Sequence, residues 1–133
     1  MNEEMLKEAV SLADEVGYAF VATTNEDGLP HMASAGKLTL DPQQQVVLAE
    51  WFCPRTVSNV RENQQIALVV WDVDGDIGYQ LLGKVQDMRE VAMLDGYAPD
   101  EEEGILPQVE RELLISVNEV LSFSQGPHTD TPQ

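Results

Sequence analysis

Ile66-Ala67-Leu68-Val69-Val70-Trp71-Asp72-Val73-Asp74-Gly75-Asp76-Ile77-Gly78-Tyr79-Gln80-Leu81-Leu82-Gly83-Lys84-Val85-Gln86 holds the fold in outline. The apolar run 66–71 has the length of a strand and reads as a central one, covered on both faces. Asp74-Gly75-Asp76 is turn chemistry. Beyond it Tyr79, Leu81 and Val85 alternate with Gly78, Gln80, Lys84 and Gln86, the period of a strand with one buried and one polar face. Asp72, Asp74 and Asp76 have the spacing of the first ligands of a calcium loop. Ile77, however, stands where that loop needs glycine and Gly83 where it needs a bidentate carboxylate, so the segment reads as an acidic hairpin turn.

On the N-terminal side, Asn2 can cap an amphipathic helix with Glu3 and Glu4 in its first turn. Its apolar positions are Met5, Leu6, Ala9, Val10, Leu12, Ala13 and Val16, and it stops at Gly17. Strands over 18–24 and 31–40 flank the turn residues Asn25-Glu26-Asp27-Gly28 as a hairpin, and a third strand follows over 46–51. Phe52-Cys53-Pro54 breaks the pattern, and Thr56 is expected to cap a short helix through residue 63. On the C-terminal side the pattern predicts a helix over 87–95, a solvated acidic loop over 100–103, a short helix over 106–110 and a closing strand over 113–121. The end of the chain, with Pro127, Pro132 and no large apolar side chain, is expected to be a mobile tail over 126–133 behind a single domain of residues 1–125. Five or six antiparallel strands closed by short helices make a mainly β fold, a small barrel, with an open sheet carrying helices on one face as the competing architecture.

The 133-residue chain has the size of one domain, and its 43% hydrophobic content can fill one core. Asp and Glu number 24 against 7 Lys and Arg, a net charge of −17 that repels nucleic acid and anionic membrane surfaces, so neither is an expected partner. The single cysteine, Cys53, allows no internal disulfide and, beside only His31 and His128, no structural zinc site; no metal is expected. No signal peptide or membrane span is read, and a soluble cytoplasmic protein is expected.

Phosphate-binding loops of the nucleotide hydrolases, dinucleotide glycine fingerprints and Ser-His-acid sets are not legible, and Cys53 reads more readily as a small buried hydrophobe than as a nucleophile. Pro54-Arg55-Thr56-Val57-Ser58-Asn59 is different. It places a guanidinium, two hydroxyls, a carboxamide and the free N–H groups of a helix start together, which suits a phosphate; plain capping with a solvated Arg55 is the alternative.

With these residues the chain resembles the FMN-binding split barrel of pyridoxamine 5′-phosphate oxidase-like proteins. The resemblance is carried in order by Phe20-Val21-Ala22-Thr23-Thr24, Asp27-Gly28-Leu29-Pro30-His31, Pro54-Arg55-Thr56 with Asn59, and Gly78-Tyr79-Gln80-Leu81-Leu82-Gly83-Lys84. It implies an antiparallel split β-barrel with FMN at a homodimer interface. Arg55 and Thr56 would hold the phosphate with support from Asn59, while Ser34, Ala35, Gly36 and Lys37 would run along the flavin. Ala49 and Glu50 would lie in the next contact strand, and Gln80 on the strand turned towards the flavin. It also implies a flavin-dependent oxidoreductase using N5 for hydride transfer, with substrate and catalytic residues unassigned. The chain departs from the pattern in two ways. It ends in a polar tail instead of a basic, aromatic substrate segment, which counts against pyridoxamine phosphate oxidation itself, and Arg55 is followed by Thr56 instead of a second cation, with Glu50 in the contact strand, which implies weaker FMN binding. A flavin carrier or electron-transfer protein, and a haem- or deazaflavin-binding relative with His31 as an axial nitrogen, are the alternatives.

Overall fold

The computed structural model describes residues 1–94 and 108–132. The expected N-terminal helix forms as α1 (Glu3–Val16), its start fixed by the Asn2 side chain accepting from Met5 N at 3.1 Å and its end by left-handed Gly17. The strands are β1 (Ala19–Thr24), β2 (Pro30–Ala35), β3 (Lys37–Leu40), β4 (Val46–Ala49), β5 (Gln65–Asp72), β6 (Ile77–Leu94) and β7 (Gln108–Ser122), with α2 (Pro54–Glu62) between β4 and β5. They form one antiparallel sheet of seven strands in the order β2-β1-β5-β6-β7-β4-β3.

That order decides the architecture. β2 and β3 are consecutive in the chain, separated by Gly36 alone, yet they occupy opposite ends of the sheet. The sheet must therefore curl until its two edges meet at Gly36, which makes a half-barrel and removes the competing open sheet. The run 31–40, expected as one strand, is thus two, each pairing with a different neighbour: Ala19 opposite Ala35 and Ala49 opposite Lys37.

The inner face carries Val21, Leu68, Leu81, Val46, Leu48, Leu113, Ile115 and Val120, all buried. α1 adds Leu6, Ala9 and Ala13, and α2 adds Val57 and Val60. Each fully buried leucine is worth about 2–5 kcal/mol against alanine. The Tyr79 hydroxyl ties β6 to α1 by donating to Glu8 at 2.9 Å; burial, then that carboxylate, hold the phenol above its ordinary pKa. β5 lies inside the sheet as expected, but only its inner side chains Ile66, Leu68 and Val70 are buried, while Ala67 and Val69 on the outer face are half-buried.

The C-terminal half corrects the sequence reading. Residues 87–94, expected to be helical, continue β6, and residues 108–110, expected at the end of a short helix, begin β7. The helix-favouring composition of Met88, Arg89, Glu90 and Ala92 yields to pairing, for Arg89 faces Glu112 and Glu90 faces Arg111 across the ladder. Their side chains meet at 3.0 and 3.6 Å. Register shifts at Leu82/Gly83, Val85/Asp87 and Glu90/Ala92 let so long a pair bend. At the first of these a Cβ on Gly83 would lie 2.2 Å from Ser116 O, so only glycine fits. The acidic loop expected over 100–103 lies outside the described residues. Among the described residues no helix is long and apolar enough to cross a membrane.

Candidate functional site

α2 starts one turn earlier than its sequence suggests. Pro54 takes the first helical position, where its missing N–H costs nothing, and Cys53 is the N-cap. Thr56 is therefore not the cap but a first-turn residue turned inward, 1% exposed, with its hydroxyl unpartnered. Asn59, one turn further, is buried and donates from Nδ2 to the Thr23 hydroxyl at 3.1 Å, tying α2 to β1. Asn63, just past the helix end, donates likewise to Thr24 at 2.8 Å.

Between this helix and the β1–β2 turn opens a cleft of about 640 Å³, lined by Arg55, Ser58, Asn59, Glu62, His31 and Asn25 among others. Arg55 is exposed at its edge. The His31 Nδ1 atom is buried without a partner. A helix N-terminus beside an exposed guanidinium is the local chemistry of an anion site, and the Thr56 hydroxyl and His31 Nδ1 are buried polar atoms without a protein partner beside it.

The remaining candidates gather at the seam of the barrel. Gly36 N donates to Glu50 O at 3.0 Å, continuing the β3–β4 ladder round the corner. A Cβ on Gly36 would meet the Glu50 Cβ at 3.1 Å, and Glu50 itself has a positive φ of 62°. Ser34, Gly36, Lys37 and Glu50 are exposed here, Ala49 is half-buried, and Ala35 turns into the core. Gln80 is set apart. It shares the outer face with Ser34, but β1 and β5 lie between them, in the cross-strand row Ser34, Phe20, Val69, Gln80. Within one chain Arg55 and Asn59 share the cleft, the corner residues form a second group, and Gln80 belongs to neither.

That outer face is apolar. Phe20 is 39% exposed and Met32 60%, and a groove of about 370 Å³ over Ala22, Ala67 and Leu82 runs beside them. Period-two alternation in β1 already implies two different faces, but which outer residues share a row depends on register, which sequence pattern alone leaves open.

Sequence reading also missed two groups. Asp76 is a clasp: its carboxylate accepts from Gln125 N at 2.7 Å, Gly126 N at 2.9 Å and Trp71 Nε1 at 3.0 Å, and these bonds hold it below the usual carboxylate range. Ser124, His128 and Asp130 also come together, with His128 Nδ1 3.1 Å from Ser124 Oγ and Nε2 3.2 Å from Asp130. This is no hydrolytic triad, because Nδ1 lies closer, at 2.8 Å, to the Gly126 carbonyl, which can only accept; Nδ1 must carry its proton there and cannot take one from Ser124. Among the described residues no group of three or more His, Cys, Asp or Glu could hold a metal.

Comparison with known proteins follows the same lines. The family model described as pyridoxamine 5′-phosphate oxidase matches residues 5–113. An uncharacterized protein of Methanocaldococcus jannaschii is 29% identical over 131 residues, covering 96% of this chain and 83% of that protein. Among solved structures, an FMN-binding protein from Syntrophomonas wolfei superposes with a TM-score of 0.63 at 17% identity, covering 96% of this chain and 91% of its own. An F420 reductase gives 0.57 at 16%, covering 83% and 93%. The heme storage protein HutZ from Vibrio cholerae gives 0.57 at 13%, covering 92% and 96%. At these identities the structural likeness is one of fold.

Proposed function

The chain belongs to the pyridoxamine 5′-phosphate oxidase family, and on that premise we propose that it is a cytoplasmic FMN-binding homodimer acting as a flavin-dependent oxidoreductase on a small molecule. The observation that carries this reading is the start of α2, where the unpartnered, buried Thr56 hydroxyl and the exposed Arg55 sit at one helix N-terminus. A phosphate there would take charge-assisted bonds from Arg55, accept from Thr56 and gain from the helix dipole. Asn59 acts from behind, holding α2 on β1 through Thr23.

Bound FMN would supply hydride chemistry at its N5. The protein's part is position and exclusion of water. Ser34, Ala35, Gly36 and Lys37, with Ala49 and Glu50, offer backbone and small side chains at the barrel seam, and Glu50 keeps the Gly36 corner closed. Gln80 lies three strands along its row from Ser34, apart from the group at the barrel seam. Pairing of two outer faces would bring the partner's copy of this strand to the site and cover Phe20 and Met32, which is why the dimer belongs to the proposal.

A second reading, haem in place of FMN, is favoured by one feature, the unpartnered His31 Nδ1 in the cleft. Absorption spectra of purified protein titrated with FMN, riboflavin and haemin separate the readings. Saturable flavin bands with FMN bound more tightly than riboflavin are expected. A Soret band without flavin binding, or equal affinity for FMN and riboflavin, overturns the FMN reading.

A further inference from the structure

Cys53 is the N-cap of α2, next in the chain to the cleft residues Pro54 and Arg55, and the proposed function leaves it unused. It is half-buried and free. Pro54 has no N–H, so the donors open at this helix start are the N–H groups of Arg55 and Thr56. Cys53 makes no side-chain cap hydrogen bond in the structure, and the donors around it suit a thiolate. Burial by itself raises the thiol pKa, but the Thr56 side chain, the N–H groups of Thr56 and Arg55, and the Arg55 charge outweigh it and bring the pKa below the ordinary value. A Cys53 thiolate can thus complete this helix start.

The same donors are those assigned above to the cofactor phosphate. Two anions cannot share one guanidinium and two N–H groups without mutual repulsion, so occupation by one disfavours the other. We propose that Cys53 is a modification site that closes the phosphate end of the flavin site, by forming a mixed disulfide with a low-molecular-weight disulfide. This rests on reading the α2 start as the phosphate end. In the step, Cys53 Sγ attacks one sulfur of the reagent, a new S–S bond forms, the reagent's own S–S bond breaks, and its other half leaves as a thiolate. Cys53 is oxidised, the departing half is reduced, and a thiol reverses the exchange. The adduct's bulk, set beside Arg55 at the helix start, then opposes phosphate entry and outweighs the removal of the competing thiolate charge.

The test compares the wild-type chain with Cys53→Ser. Alkylation of Cys53 by iodoacetamide is followed by intact mass in the full chain, alone and with FMN or inorganic phosphate. A parallel sample is treated with 2-hydroxyethyl disulfide and titrated with FMN and riboflavin. Saturating FMN is expected to slow alkylation at least tenfold. The mixed disulfide is expected to weaken FMN at least tenfold, leave riboflavin unchanged and be reversed by dithiothreitol, while Cys53→Ser is indifferent to the disulfide. FMN binding that neither protects Cys53 nor is weakened by the adduct overturns the switch and leaves the flavin reading standing. If untreated protein binds no FMN, the flavin reading fails and inorganic phosphate decides. Protection by it upholds a Cys53-gated anion site, and lack of protection overturns it.

Discussion

The two ends of the candidate site are built in different ways. The phosphate end is local: Cys53, Arg55, Thr56 and Asn59 lie on or beside one helix, and that helix is held by side-chain bonds from Asn59 and Asn63 to β1. The ring end is assembled across the sheet, from a bend at Gly36, the Glu50 carbonyl it pairs with, and an outer row that reaches Gln80 through Phe20 and Val69. A local site survives changes in assembly, whereas a site spread over strands and, as proposed, completed by a second copy does not.

The largest effect is expected where that difference is sharpest. Phe20→Asp puts a charge in the middle of the outer row, 39% exposed in one chain and covered in the proposed dimer. Burying an unpaired carboxylate costs several kcal/mol, so the dimer should dissociate. FMN affinity should fall more than a hundredfold, and riboflavin affinity with it, because the ring end is lost. Light scattering and flavin titration check this; a dimer of wild-type affinity would mean that the outer face is not the interface.

Arg55→Ala probes the other end. A hydrogen bond to a charged group is worth about 1.5–3 kcal/mol, so FMN should weaken by about one to two orders of magnitude while riboflavin and the dimer stay unchanged. Equal losses for FMN and riboflavin would move the phosphate to Lys37 or Lys84.

The same division governs what was legible in the sequence. The α2 segment could be singled out because its chemistry is consecutive, although its cap was misplaced: Pro54 at the first helical position makes Cys53 the N-cap and turns Thr56 inward. The split of 31–40 at Gly36 could not be read from local pattern, since both halves have strand composition and only the closure of the sheet assigns them to opposite edges. Residues 87–94 misled for the converse reason. Met88, Arg89 and Glu90 favour a helix in isolation, and their pairing with residues more than twenty positions away wins.

Asn59→Ala is expected to act on stability before binding. It leaves the Thr23 hydroxyl, 2% exposed, without its partner, a cost of about 1–3 kcal/mol. Chemical denaturation should show that loss, with FMN affinity reduced less than in Arg55→Ala. A larger loss of FMN affinity than of stability would make Asn59 a direct phosphate contact.

The smallest effect belongs to the tail, which lies far from both ends in the chain and meets the barrel at Asp76. Truncation after Gln125 removes the Gly126 N–H and His128 but keeps the bonds from Gln125 and Trp71 to that carboxylate. FMN affinity should change less than tenfold. The signature should instead appear in acid. Because the folded pKa of Asp76 is lowered, its contribution to stability is present above the unfolded carboxylate value of about 4 and is lost as pH falls through the folded value. Losing one of the donors that lower that pKa brings the folded value closer to the unfolded one. As pH rises from acid to about 5, past the unfolded carboxylate value, the truncated chain should therefore gain less stability than the full chain, with the two converging in acid below the folded value, where Asp76 is protonated in both states. Parallel denaturation curves over that range test this, and an identical pH dependence would show that Gln125 and Trp71 alone set the Asp76 clasp.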